Sequence, residues 1–98
     1  MIPGITRTQE DIIFRILKDY PFKFYYYGSR ARGNFEPVSD LDILIQGKGE
    51  IPLNTINQIE SRFDTSDLPF VVNLSDYAGM DKDFFKTIQK DLVKVELP

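Results

Sequence analysis

The stretch FYYYGSRARGNFEPVSDLDILIQ, residues 24–46, sets the narrowest limits on the fold of this chain. Phe24, Tyr25, Tyr26 and Tyr27 form an uncharged aromatic run that reads as a buried strand. Gly28 and Ser29 break it, and Leu41 to Ile45 read as a second buried strand with Asp40 and Asp42 at its start. Strand geometry alternates side chains between two faces, so Asp40 and Asp42 share one face while Leu41 and Ile43 take the other. Two carboxylates side by side on a strand that otherwise buries itself repel one another and lose solvation. A cation is the usual offset.

The chemistry open to such a pair is narrowed by what is missing. The chain has no cysteine and no histidine, which excludes disulfides, thiolate zinc, cysteine nucleophiles and the usual general base. Carboxylates and amides remain, and these oxygen donors favour a hard cation such as Mg²⁺. With 12 basic and 15 acidic residues the net charge is −3, against an extended nucleic-acid-binding surface. No apolar run is long enough to span a bilayer, and the start MIPGITRTQEDII lacks the features of a signal peptide, so a cytoplasmic setting is expected.

The 98 residues suit a single domain, 1–98, with neither a repeat nor a linker. Thr8 is the expected N-cap of a helix over 8–20, carrying Glu10 and Asp11 in its first turn and Ile12, Ile13, Ile16 and Leu17 at helical spacing, with Pro21 as the stop. Strand one is expected at 22–27, a short helix at 29–33, a loop around Pro37 at 33–39 and strand two at 40–46. Pro52 opens a second long helix to about Phe63 with an apolar stripe of Leu53, Ile56, Ile59 and Phe63. LPFVVNL, residues 68–74, reads as a third strand. Asp81 caps a last helix whose inner face carries Phe84, Phe85, Ile88 and Leu92, and 93–97 form a short strand or a pairing tail. The class is a small α/β or α+β fold with helices covering a sheet.

A Gly-Ser bend at a strand end, opening a helix, turns backbone N–H groups toward an anion, and Gly28 lets that anion come close. Ser29 adds a hydroxyl donor, and Arg30 and Arg32 add positive charge suited to phosphate. Asp40 and Asp42 offer oxygens to Mg²⁺, which neutralises charge in phosphoryl transfer. Each piece alone is commonplace; the ordered set of strand, GSRARG, SDLD and strand is far more specific.

GSRARG followed by SDLDILI resembles the signature of the nucleotidyltransferases related to DNA polymerase beta and kanamycin nucleotidyltransferase. The short chain is similar to the minimal nucleotidyltransferase (MNT) domains over nearly its whole length. The resemblance implies a nucleotidyltransferase fold, a mixed sheet with helices packed on it, in which Gly28 and Ser29 hold the triphosphate of ATP and Asp40 and Asp42 hold Mg²⁺. It also implies a partner. Many such domains are antitoxins in hetero-oligomers with a HEPN-domain RNase toxin, and some silence it by transferring AMP from ATP to a tyrosine.

The family pattern carries a third carboxylate on a later strand, and here LPFVVNLSDY places Asn73 at that position. An amide oxygen can ligate a hard cation but brings no charge. Asp76, three residues on, falls on the opposite face of a regular strand. Two functions therefore stand side by side, an adenylyltransferase and an antitoxin that acts by binding alone. An RNA-facing or nucleotide-sensing domain is disfavoured by the acidic balance. Tyr25 to Tyr27, Phe84 and Phe85 read as core, Lys82, Lys86, Lys90 and Lys94 as a solvated face, and Asp64 and Asp67 as turn residues.

Overall fold

A computed structural model describes residues 2–98. The elements run α1 (Arg7–Leu17), β1 (Lys23–Tyr27), α2 (Ser29–Arg32), β2 (Leu41–Gln46), α3 (Leu53–Asp64), β3 (Val72–Asp76), a 3₁₀ turn (Tyr77–Gly79), α4 (Lys82–Ile88), a second 3₁₀ turn (Gln89–Asp91) and β4 (Val93–Lys94). The sheet order is β3-β2-β1-β4. β1 is antiparallel to both β2 and β4, and β2 is parallel to β3. The sheet is mixed, as expected, and the 93–97 segment contributes its short fourth strand.

The alternation in β1 and β2 divides the core. Phe24, Tyr26, Leu41, Ile43, Ile45 and Val72 point to one side, where Ile13, Ile16 and Leu17 of α1 and Ile59 and Phe63 of α3 cover them. Tyr25, Tyr27 and Leu44 point to the other, under Phe85 and Ile88 of α4 with Met80 and Leu92. One side is thus a thick apolar layer. The other is covered by a single short helix, which leaves the upper ends of β2 and β3 open for polar groups.

Two expected boundaries and one expected core residue move. α1 is capped by Thr6 rather than Thr8: Thr6 Oγ1 accepts from Gln9 N–H at 3.1 Å, and Gln9 Oε1 accepts from Thr6 N–H at 3.0 Å. This reciprocal box satisfies two orphan donors at once, so the helix starts one residue before Thr8 and takes it in. β3 begins at Val72 and not Leu68, because Pro69 has no N–H and biases Leu68, and ladder pairing starts only where Leu41 N–H reaches Val71 O at 2.9 Å. Phe84 sits at the margin of the inner face of α4, touching Tyr27 without being buried. It is 45% exposed, while Ile88 is 6% exposed. No helix among the described residues is long and apolar enough to cross a membrane.

Candidate functional site

The bend after β1 is built by glycine. Gly28 sits at φ +82°, a region costly for any side chain, and caps α2 by accepting from Arg32 N–H at 3.1 Å. The N–H groups of Ser29, Arg30 and Ala31 precede that first helical bond and have no intrahelical acceptor. Gly33, at φ +87°, ends the turn, and Ser29 O accepts from both Gly33 N–H and Asn34 N–H. The bend lies against the acidic pair: a Cβ on residue 28 would stand 2.6 Å from Asp42 Oδ2. The register explains this, since Tyr27 is the cross-strand partner of Asp42 and Gly28 follows it.

Asp40, Asp42 and Asn73 converge. Asn73 Nδ2 donates to Asp40 Oδ2 at 3.3 Å and to Asp42 Oδ1 at 3.0 Å. Parallel pairing aligns Asp42 with Asn73, which places the amide between the two carboxylates. Asp40 and Asn73 are exposed and Asp42 is half-buried. The amide hydrogens stand where a cation would otherwise offset the repulsion of two anions. Among the described residues, no group of three or more histidine, cysteine or acidic side chains gathers to hold a metal. The donor set is instead two carboxylates and one amide, all on one face. With Oδ1 of Asn73 turned inward these are hard oxygen ligands of the kind Mg²⁺ accepts.

Asp76 is engaged elsewhere. Its Oδ2 accepts from Ile51 N–H at 2.8 Å and its Oδ1 from Ala78 N–H at 3.0 Å, so it caps a 3₁₀ turn and anchors the lead into α3.

Arg30 corrects the expectation that it faces phosphate. It is 1% exposed, and its guanidinium donates to Pro3 O at 3.1 Å, Pro37 O at 3.1 Å and Ser39 O at 2.8 Å. It also lies over the rings of Phe35 and Phe70, 5.3 and 4.6 Å from their centroids. Burial pushes its pKa down from the ordinary arginine value. Arg30 therefore ties the N-terminal lead-in to the 33–39 loop and holds Ser39, the residue before Asp40. Arg32 is half-exposed and meets Asp91 at 3.6 Å.

One residue on the open face, Ser75, has no role in the sequence reading. Ser75 is two positions from Asn73 and so shares its face, and its hydroxyl lies 3.4 Å from Tyr27 Oη. The signal for Ser75 was the same period-two rule that paired Asp40 with Asp42.

With this geometry in hand, residues 10–95 match the family described as "Polymerase beta, Nucleotidyltransferase". The chain belongs to that nucleotidyltransferase family. A relative from Haemophilus influenzae, named "Probable protein adenylyltransferase MntA", is 31% identical over 85 residues, which span 87% of this nucleotidyltransferase and 73% of the relative. Among solved structures, a toxin–antitoxin crystallised with AMP-PNP superposes with a TM-score of 0.72 at 18% identity, over 91% of this chain and 73% of that one. A mutant of the toxin–antitoxin MntA-HpeT superposes with a TM-score of 0.71 at 18% identity, over 91% and 72% of the two chains. These two likenesses establish the nucleotidyltransferase fold.

Proposed function

We propose that this chain is an antitoxin that binds Mg-ATP and transfers AMP to a hydroxyl of its toxin, a tyrosine of a HEPN-type RNase, within a cytoplasmic complex of the two. The observation that carries this reading is the convergence of Asp40, Asp42 and Asn73 beside the Gly28 bend. The relative's name supports the adenylyl group and the protein acceptor. The names of the two solved relatives support the toxin partner and, through AMP-PNP, the nucleotide.

In this reading the bare backbone at Gly28 admits the triphosphate, and the N–H groups of Ser29 to Ala31 and the Ser29 hydroxyl donate to its oxygens. Asp40 and Asp42 would hold Mg²⁺, and Asn73 Oδ1 would serve as a neutral third ligand with the amide turned. Bound there, Mg²⁺ would supply positive charge that offsets the negative charge on the phosphate oxygens. The acceptor oxygen forms a bond to the α-phosphorus, the bond between the α-phosphorus and its bridging oxygen to the β-phosphorus breaks, and pyrophosphate leaves. The hydroxyl proton passes to solvent. Calorimetry of Mg-ATP binding, followed by label transfer from α-labelled ATP to the co-purified toxin, tests the proposal. Binding and transfer that vanish in Asp42→Ala are expected. Toxin neutralisation unchanged in that variant, with no label transferred by the wild type, would overturn the enzymatic reading.

Asn73 favours a second reading. An amide in place of a carboxylate lowers the charge of the site by one, which weakens a second cation more than the one that arrives with ATP. The chain then neutralises its toxin by occupying it, and an Asp40/Asp42 double variant still protects.

A further inference from the structure

We propose that Phe84 is the platform on which the nucleobase of the bound triphosphate stacks, an assignment that rests on the nucleotide-binding reading above. The side chains of Asp42 and Asn73 lie on the sheet face that α4 crosses. Tyr27, the cross-strand partner of Asp42, shares that face, and so does Ser75, two residues along β3 from Asn73. At the rise of a strand this separates Ser75 from Asn73 by about 6–7 Å, the kind of offset a ribose bridges between phosphate and base.

Phe84 stands at this point. Its ring meets the Tyr27 ring edge to face, with centroids 6.3 Å apart and planes at 78°. The ring touches Tyr27, and the residue is still 45% exposed. A groove of about 330 Å³ runs beside it, lined by Ser75, Asp76, Gly79, Met80, Asp81 and Phe84. A partly exposed apolar ring held against a buried tyrosine, beside a groove that Ser75 also lines, has the form of a stacking surface.

The rim selects among bases. Asp81 accepts from Phe84 N–H through Oδ2, and Asp76 is engaged through both oxygens. Asp81, with one carboxylate oxygen left over, and Ser75, whose hydroxyl lies 3.4 Å from Tyr27 Oη, both line that groove. A rim of acceptors suits a base with an exocyclic amino group, such as adenine.

The test compares Mg-ATP with Mg-tripolyphosphate, which has the same charge-bearing chain and no base, by calorimetry on wild type, Phe84→Leu, Phe84→Ala and Phe84→Tyr. Phe84→Leu keeps apolar bulk in the fold and removes the π-face. Phe84→Leu and Phe84→Ala are expected to lose about ten-fold in ATP affinity and nothing for tripolyphosphate, with Phe84→Tyr restoring ATP binding. Equal ATP affinity in wild type and Phe84→Leu overturns the platform while leaving the phosphate site intact. Wild type that binds neither ligand overturns the nucleotide site, and the platform with it. Loss of partner co-purification in Phe84→Leu with ATP affinity unchanged reassigns the ring to a protein contact.

Discussion

The hydrogen on Gly28 that a side chain would replace points at Asp42: a Cβ there would come within 2.6 Å of Oδ2. This contact couples the bend to the acidic pair, and it makes glycine necessary twice over, once for φ +82° and once for space. Gly28→Ala is therefore expected to cost about 1–3 kcal/mol of stability from backbone strain alone and to displace the Asp42 carboxylate. Thermal melting and Mg-ATP calorimetry measure the two effects. Adding Asp42→Ala relieves the clash but leaves the strain, so the double variant should regain only part of the lost stability.

Arg30 makes a different kind of demand. Three carbonyls, of Pro3, Pro37 and Ser39, depend on its guanidinium. Arg30→Ala leaves them without a donor and opens a gap beneath Phe35 and Phe70, at an expected cost of about 3 kcal/mol or more. For a domain with total stability of roughly 5–15 kcal/mol that is a large fraction. Arg30→Lys should rescue little, since an ammonium cannot reproduce the planar fork that reaches separate acceptors and stacks on rings. Chemical denaturation of the two variants checks both statements.

How much of this was legible in the sequence varies with the range of the contact involved. Asp40, Asp42 and the Gly28 bend follow from period two and glycine chemistry, which are local, and the structure puts them together. Thr6 is legible too, since Thr6 and Gln9 have capping-box spacing, and Thr8 competes with it because Glu10 and Asp11 follow as a first turn. Arg30 was not legible. Nothing in GSRARG says which arginine turns inward, because the answer depends on Pro3 and Phe70, 27 and 40 positions away. Phe84 and Phe85 are adjacent and about 100° apart on a helix, so both fit one stripe only if the layer beneath is wide enough to cover both. Packing against Tyr77 took Phe85, and Phe84 was left at the edge of the open face.

Arg32 is the cation of the motif that stays at the surface. Its contact with Asp91 is long at 3.6 Å and its side chain is 50% exposed, so the pair contributes little to stability. Arg32→Ala is expected to shift the unfolding midpoint by less than about 0.5 kcal/mol equivalent. Its effect should appear as weaker Mg-ATP binding that grows as ionic strength falls. An affinity independent of Arg32 at low salt would remove it from the phosphate contacts.

Asn73 decides between catalysis and simple occupation. Its amide hydrogens now stand between Asp40 and Asp42, so Asn73→Ala should leave two carboxylates facing each other without a donor. Because the group is exposed the cost is modest, about 1 kcal/mol, and Mg²⁺ should recover it, so this variant gains more thermal stability from added Mg²⁺ than wild type does. Asn73→Asp goes further. A third negative charge on the same face should raise Mg²⁺ affinity by about ten-fold, destabilise the metal-free protein, and increase transfer of labelled AMP to the toxin. If Asn73→Asp tightens Mg²⁺ and transfer rises from nothing, the native chain works by binding. If wild type already transfers and Asn73→Asp changes the rate only slightly, the amide oxygen suffices as the third ligand.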